Sequence, residues 1–134
     1  YLSAHKTIVS QDVCYFYYQR AGSIMHVFGQ ANMDELDAAD NLVTFCEKHY
    51  PQLIAAAKSK KFSDYCQVLL SNKDIKTTYP EAYARICDYL DNVKFEIVRD
   101  KKCRAKNRIA ALLCIINKNL LLAAKKFAEA GTAP

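Results

Sequence analysis

The sequence predicts an all-α fold, a single compact domain of five or six helices stapled by disulfides across residues 1–134. Apolar residues recur at three- and four-residue spacing along almost the whole chain, and no stretch alternates convincingly as a strand would. Six cysteines, Cys14, Cys46, Cys66, Cys87, Cys103 and Cys114, are spread widely enough to cross-link such helices.

Ser10 is placed to cap a first helix running to about Phe28, with Val13, Cys14, Tyr17, Tyr18, Ala21, Ile24, Met25 and Phe28 on its apolar face. Beyond Gly29, Asp34 is expected to cap a second helix whose inner face is Leu36, Ala39, Leu42, Val43, Cys46 and Tyr50. Pro51 then makes a corner, either starting a short third helix through Ala57 or kinking the second. Ser63 is expected to open another short helix, with Tyr65, Cys66, Leu69 and Leu70 inward, that ends at Asn72 and Asp74. Thr78, Tyr79, Pro80 and Glu81 form a strong start signal, since Thr caps, Pro suits the first helical position and Glu complements the positive end of the dipole. That helix carries Tyr83, Ile86, Cys87, Leu90, Val93 and Ile97 and is expected to end near Val98.

A last helix is expected from about Lys102 to Ala130, with Cys103, Ile109, Leu112, Leu113, Ile116, Leu120, Ala123 and Phe127 inward and Gly131 as its stop. Its broad apolar face suggests a central position. Cys103 and Cys114 return to nearly one face roughly 16 Å apart along the axis, so each would have to bond a different helix. Each such bridge would contribute roughly 3 to 4 kcal/mol in a chain-entropy account. Pairing among six cysteines stays one of 15 possibilities.

Composition narrows the function. With 51% hydrophobic and 25% charged residues, three Gly and three Pro, the chain is neither disordered nor collagen-like. Its longest apolar run, Ile109 to Ile116, is too short for a membrane span, which needs about 20 residues. No CxxC is present, so zinc fingers and thioredoxin-type sites are not expected. An even set of cysteines in a short chain, together with Tyr1 where a Met would start translation, predicts a secreted protein freed of a signal peptide. His5, His26 and His49 stand apart, without metal-ligand spacing, and no GxSxG, P-loop or GxGxxG occurs. No catalytic residue, metal or cofactor is therefore expected.

Charge points to binding. Residues 1–67 hold six basic and seven acidic side chains, whereas residues 68–134 hold 13 basic and seven acidic. The excess gathers in Arg99, Lys101, Lys102, Arg104, Lys106 and Arg108, interrupted by the single acid Asp100, at the expected start of the last helix. Cations there oppose the helix dipole, and such a conflict predicts a site for an anionic partner such as heparan sulfate, an anionic membrane or an acidic protein face. The bland alternative is a solvated, lysine-rich helix flank. Nucleic acid is not expected for a secreted chain. Tyr15, Phe16, Tyr17 and Tyr18 point all the way round a helix, so at least one should emerge and could serve a partner interface or line a pocket.

The start YLSAHKTIVSQDVCYFYY, the six spread cysteines and the basic RDKKCRAKNR segment resemble the small helical disulfide-linked secreted proteins in the saliva of blood-feeding arthropods, including mosquito proteins of the anophensin and albicin type. The resemblance implies a non-catalytic protein that disarms a host defence pathway, such as complement, contact activation or immune-cell signalling, by binding a host plasma or cell-surface protein. Odorant-binding carriers are also helical with six cysteines, but they carry a C-x3-C between the second and third, where this chain has an interval of 20 from Cys46 to Cys66. Carriage of a small hydrophobic ligand is the second expectation. A cytokine-like signal is the third, and the short middle helices expected here fit its long crossovers poorly.

Overall fold

A computed structural model describes residues 29–121 together with positions 6, 8, 9, 11, 12 and 15. The expected first helix, with Cys14, Phe16, Tyr17, Tyr18 and His26, lies outside the described residues, as do His5 and the expected continuation of the last helix to Ala130. Five α-helices occupy the described stretch: α1 (Gln30–His49), α2 (Ile54–Ser71), α3 (Ile75–Thr78), α4 (Pro80–Arg99) and α5 (Ala105–Ile116), with a single 3-10 turn at Pro51–Leu53. No strand occurs among the described residues.

Helix α1 begins four residues before the expected Asp34 because Asn32 supplies the cap: its Oδ1 accepts the Gly29 N–H at 2.9 Å. Leu36, Ala39 and Cys46 are its buried residues, in register with the apolar face read from the sequence. Pro51 turns the corner, and the 3-10 turn runs straight into α2. Of the two alternatives at Pro51, a new element starts there, and the helix expected to stop at Ala57 and the one expected to open at Ser63 are a single helix, Ile54–Ser71, of 18 residues. Nothing between them breaks a helix: the polar Lys58 to Lys61 stretch contains neither Gly nor Pro, and Lys60 is ion-paired with Asp64 one turn on.

Helix α2 is the central element. It packs on α1, α4 and α5, and it buries Ala57, Phe62, Asp64, Tyr65, Cys66, Val68 and Leu69. The expectation of a central last helix is corrected accordingly. Helix α4 starts at Pro80, with Glu81 in its first turn and Tyr79 rather than Thr78 at the capping position, and ends at Arg99. Ile86, Leu90, Val93 and Ile97 form its inner stripe and join Leu36, Phe62, Tyr65, Val68 and Leu69 in one core cluster.

The last helix departs most from expectation. Asn117 adopts an extended backbone (φ −167°, ψ 126°) and breaks the helix after Ile116; its Oδ1 accepts the Asn119 N–H at 2.8 Å, and helical backbone resumes at 118–121. The rotation of α5 also differs. Asn107, Ala111 and Cys114 are buried, while Ile109, Leu112, Ile116 and Leu120 are 58%, 46%, 71% and 40% exposed. Two polar anchors fix that rotation. Asn107 Nδ2 donates to the Ser59 carbonyl at 3.0 Å, and Arg108 Nε donates to the Val98 carbonyl at 3.2 Å.

The disulfide expectation is not met among the described residues. Cys46, Cys66, Cys87, Cys103 and Cys114 all carry free thiols. All but the half-buried Cys87 are buried, and Cys66, Cys103 and Cys114 sit within the core cluster. At these positions cysteine acts as a small apolar side chain between helices, a role that a spaced, even count does not distinguish from bridging.

Candidate functional site

The turn from α4 into α5 gathers the basic segment. Asp100 accepts the Lys102 N–H through Oδ1 at 2.8 Å, and the Cys103 N–H donates to the Asp100 carbonyl at 3.1 Å, which folds residues 100–103 tightly with the Cys103 side chain inward. Arg99, Lys101, Lys102, Arg104 and Lys106 are left exposed, and among the described residues none of them has an ion-pair partner. Helix α5 begins without an acid in its first turn, so the cations lie against the positive end of its dipole. Arg108 is different. Its side chain is half-buried against the α4 carboxy terminus, where it braces the junction rather than facing a partner.

Cations elsewhere show the contrast. Asp40, on α1, accepts the Tyr65 hydroxyl at 2.7 Å and forms ion pairs with Lys61 at 2.7 Å and Arg85 at 2.5 Å; Arg85 also reaches Asp37 at 2.7 Å. Burial pushes the Asp40 carboxyl up, but the hydrogen bonds from Lys61, Arg85 and Tyr65 outweigh it and hold the group below its ordinary value. The Lys61 ammonium also lies 4.0 Å from the centroid of the Tyr89 ring. Asp91 binds Lys118 and Lys94, whose hydrogen bonds hold its carboxyl low. These are satisfied structural networks. Most of their pairs join distant positions, as Arg85 and Asp37 do across 48, so no local pattern in the sequence signals them.

Two cavities lie along the α2–α5 seam. One, of about 590 Å³, has Cys66 and Leu70 on one wall and Ile109, Ala110, Leu113 and Leu121 on the other, with Lys106 also lining it. The other, of about 340 Å³, has a mixed lining in which Lys60, Asp100, Lys102 and Arg104 stand beside Ala55, Ala56 and Cys103. Ser63 and Asn107 line both, so these two residues stand between the cavities. Burial pushes the Cys66 thiol up, the nearby Cys114 adds to the rise, and Lys106 opposes it. The sequence offers the aromatic run as pocket lining, whereas the apolar walls of this cavity are aliphatic apart from Cys66. They form because α5 turns Ala110 and Leu113 toward α2, a rotation that no pattern within α5 announces.

Of the aromatic run, Tyr15 is described and is 77% exposed, and the other three rings lie outside the described residues. His49 ends α1 with its ring 4.8 Å from that of Phe45, and among the described residues no group of His, Cys, Asp and Glu is arranged to hold a metal. No described helix is long and apolar enough to cross a membrane. Comparison with known families, curated proteins and solved structures returns no match to this chain.

Proposed function

We propose that the protein is a secreted, non-enzymatic binder that engages an anionic face of a host plasma or cell-surface protein, or a glycosaminoglycan, through Arg99, Lys101, Lys102, Arg104 and Lys106. The observation that carries this reading is the absence of an ion-pair partner for any of these five exposed cations among the described residues, while the Asp40 and Asp91 networks neutralise theirs. Like charges held together at a helix start cost stability, and an acidic ligand relieves that cost. Modulation of a host defence pathway is the role that the salivary resemblance adds.

Heparin and plasma provide the test. Wild-type protein is expected to bind heparin at physiological ionic strength and to release it as salt rises, because exposed charges are screened within about 8 Å at that strength. Replacing Lys101, Lys102, Arg104 and Lys106 with Glu should abolish both heparin retention and any inhibition of complement or contact activation in plasma. Unchanged binding of that variant at low salt would overturn the proposal.

The extracellular setting and the disulfides expected with it have their own test. Thiol titration in denaturant of protein made in an oxidising compartment should find few free thiols if the cysteines bridge; six would remove the disulfide argument for secretion.

A further inference from the structure

We propose that the seam between α2 and α5 is a binding site for a single-chain anionic amphiphile, an alkyl chain ending in a carboxylate or phosphate. The apolar cavity, about 590 Å³, falls within the range of small-molecule sites, and its walls are Cys66, Leu70, Ile109, Ala110, Leu113 and Leu121. Of these, Cys66 and Leu121 are buried, whereas Ile109 is 58% exposed, so the apolar surface runs from the core out to an open side. An alkyl chain laid there removes apolar area from water on both partners.

The headgroup is specified by charge. Lys106 lines the apolar cavity itself, and the neighbouring cavity, which shares Ser63 and Asn107 with it, carries Lys102 and Arg104, neither with an ion-pair partner among the described residues. Of the other charged groups of that wall, Lys60 pairs with Asp64 at 2.5 Å, and Asp100, which accepts the Lys102 N–H, keeps its negative charge, so the cations Lys102 and Arg104 exceed it by one. A neutral chain end would leave Lys102, Arg104 and Lys106 uncompensated, whereas an anion there pairs with cations that have no other described partner. Asn107 stands between the two cavities: it is 3% exposed, and its Nδ2 donates to both the carbonyl and the hydroxyl of Ser59, which pins α5 to α2 beside these cations. The site shares Lys102, Arg104 and Lys106 with the partner reading above and differs from it in its apolar walls, while Arg99 and Lys101 line neither cavity.

The experiment is calorimetric titration of the full chain with octanoate, decanoate and laurate below their micellar concentrations, and with decanol as the uncharged control. Saturable binding at one site per chain is expected, tightening roughly fourfold for each added methylene until the chain outgrows the cavity. Decanoate should bind about tenfold more tightly than decanol. The exposed double change Arg104→Glu with Lys106→Glu should remove that preference and leave decanol unaffected. Ala110→Trp should block both ligands; the exposed wall residue Gln67, changed to Trp, makes the same test without touching the packed face of α5. Arg99→Glu with Lys101→Glu should leave decanoate binding unchanged while weakening heparin, which separates the two sites. An alkyl phosphate in place of decanoate distinguishes a phosphate-headed ligand from a fatty acid by which of the two binds more tightly. Absence of saturable binding, as would follow if other residues of this chain or a second copy fill the seam, overturns the proposal. So does equal affinity for decanol and decanoate.

Discussion

Helices α4 and α5 carry nearly the same apolar spacing and use it in opposite ways. On α4 the residues that recur every three or four positions, Ile86, Leu90, Val93 and Ile97, are buried, with exposures between 0% and 8%. On α5 the equivalent stripe, Ile109, Leu112 and Ile116, faces outward, and Asn107, Ala111 and Cys114 take the core side. Polar residues are the difference. Helix α4 places Arg85, Asp88, Asp91, Asn92, Lys94 and Glu96 between its apolar positions, whereas residues 109–116 of α5 are apolar without interruption. A helix that is apolar all round has no polar face to set its rotation. On α5 the choice falls to the anchors at its start, Asn107 on Ser59 and Arg108 on Val98.

Core truncation should separate the two helices most sharply. Leu90→Ala, at a fully buried site, is expected to cost about 3 kcal/mol in urea unfolding, whereas Ile116→Ala should stay within about 0.5 kcal/mol. A comparable loss for both would mean that the outer stripe of α5 is covered in solution. Removing the anchor comes next: Asn107→Leu should cost about 1 to 2 kcal/mol and speed amide exchange along α5 while leaving α4 protected. Equal exchange in both helices would show that the anchor does not set the rotation.

The charge networks give a smaller effect with a pH signature. Asp40→Asn should cost at most about 1 to 2 kcal/mol at neutral pH, because the carboxylate is 35% exposed and its ion pairs are partly screened by water. Asp40 and Asp91 titrate lower in the folded chain than their ordinary value of 3.8, so their stabilisation is complete above that value and is lost as pH falls through the lowered folded values. Thermal unfolding of the wild type should therefore steepen its decline below about pH 4, and Asp40→Asn should flatten it. An unchanged pH profile would remove Asp40 from the account.

Much of this fold is legible in the sequence, and the remainder is hidden for identifiable reasons. Pro80 and Glu81 announce the start of α4, and its inner stripe follows from spacing alone. The sequence divides α2 into two helices because a polar surface stretch resembles a break when the partner helices are unknown. Asn117 does end the apolar run in the sequence, but its turn depends on a contact from its side chain to the Asn119 N–H that composition does not reveal. At the candidate site, the basic segment is visible as a cluster, while the bracing role of Arg108 and the seam beside Lys106 depend on how α5 is turned against α2 and α4.

The chain has nine tyrosines and no tryptophan, which makes the Tyr65 and Tyr89 pair an optical reporter of the core. Their rings lie 4.9 Å apart, and burial raises the pKa of both phenols, with Asp40 adding to the rise at Tyr65 and Glu96 at Tyr89. A phenol that ionises near pH 10 in the unfolded chain and higher in the folded one stabilises the fold below that pH and loses its contribution as pH climbs toward the folded value. Alkaline titration followed by ultraviolet absorbance should therefore show these two phenolates appearing together with the loss of helical ellipticity, so that colour and unfolding share one transition.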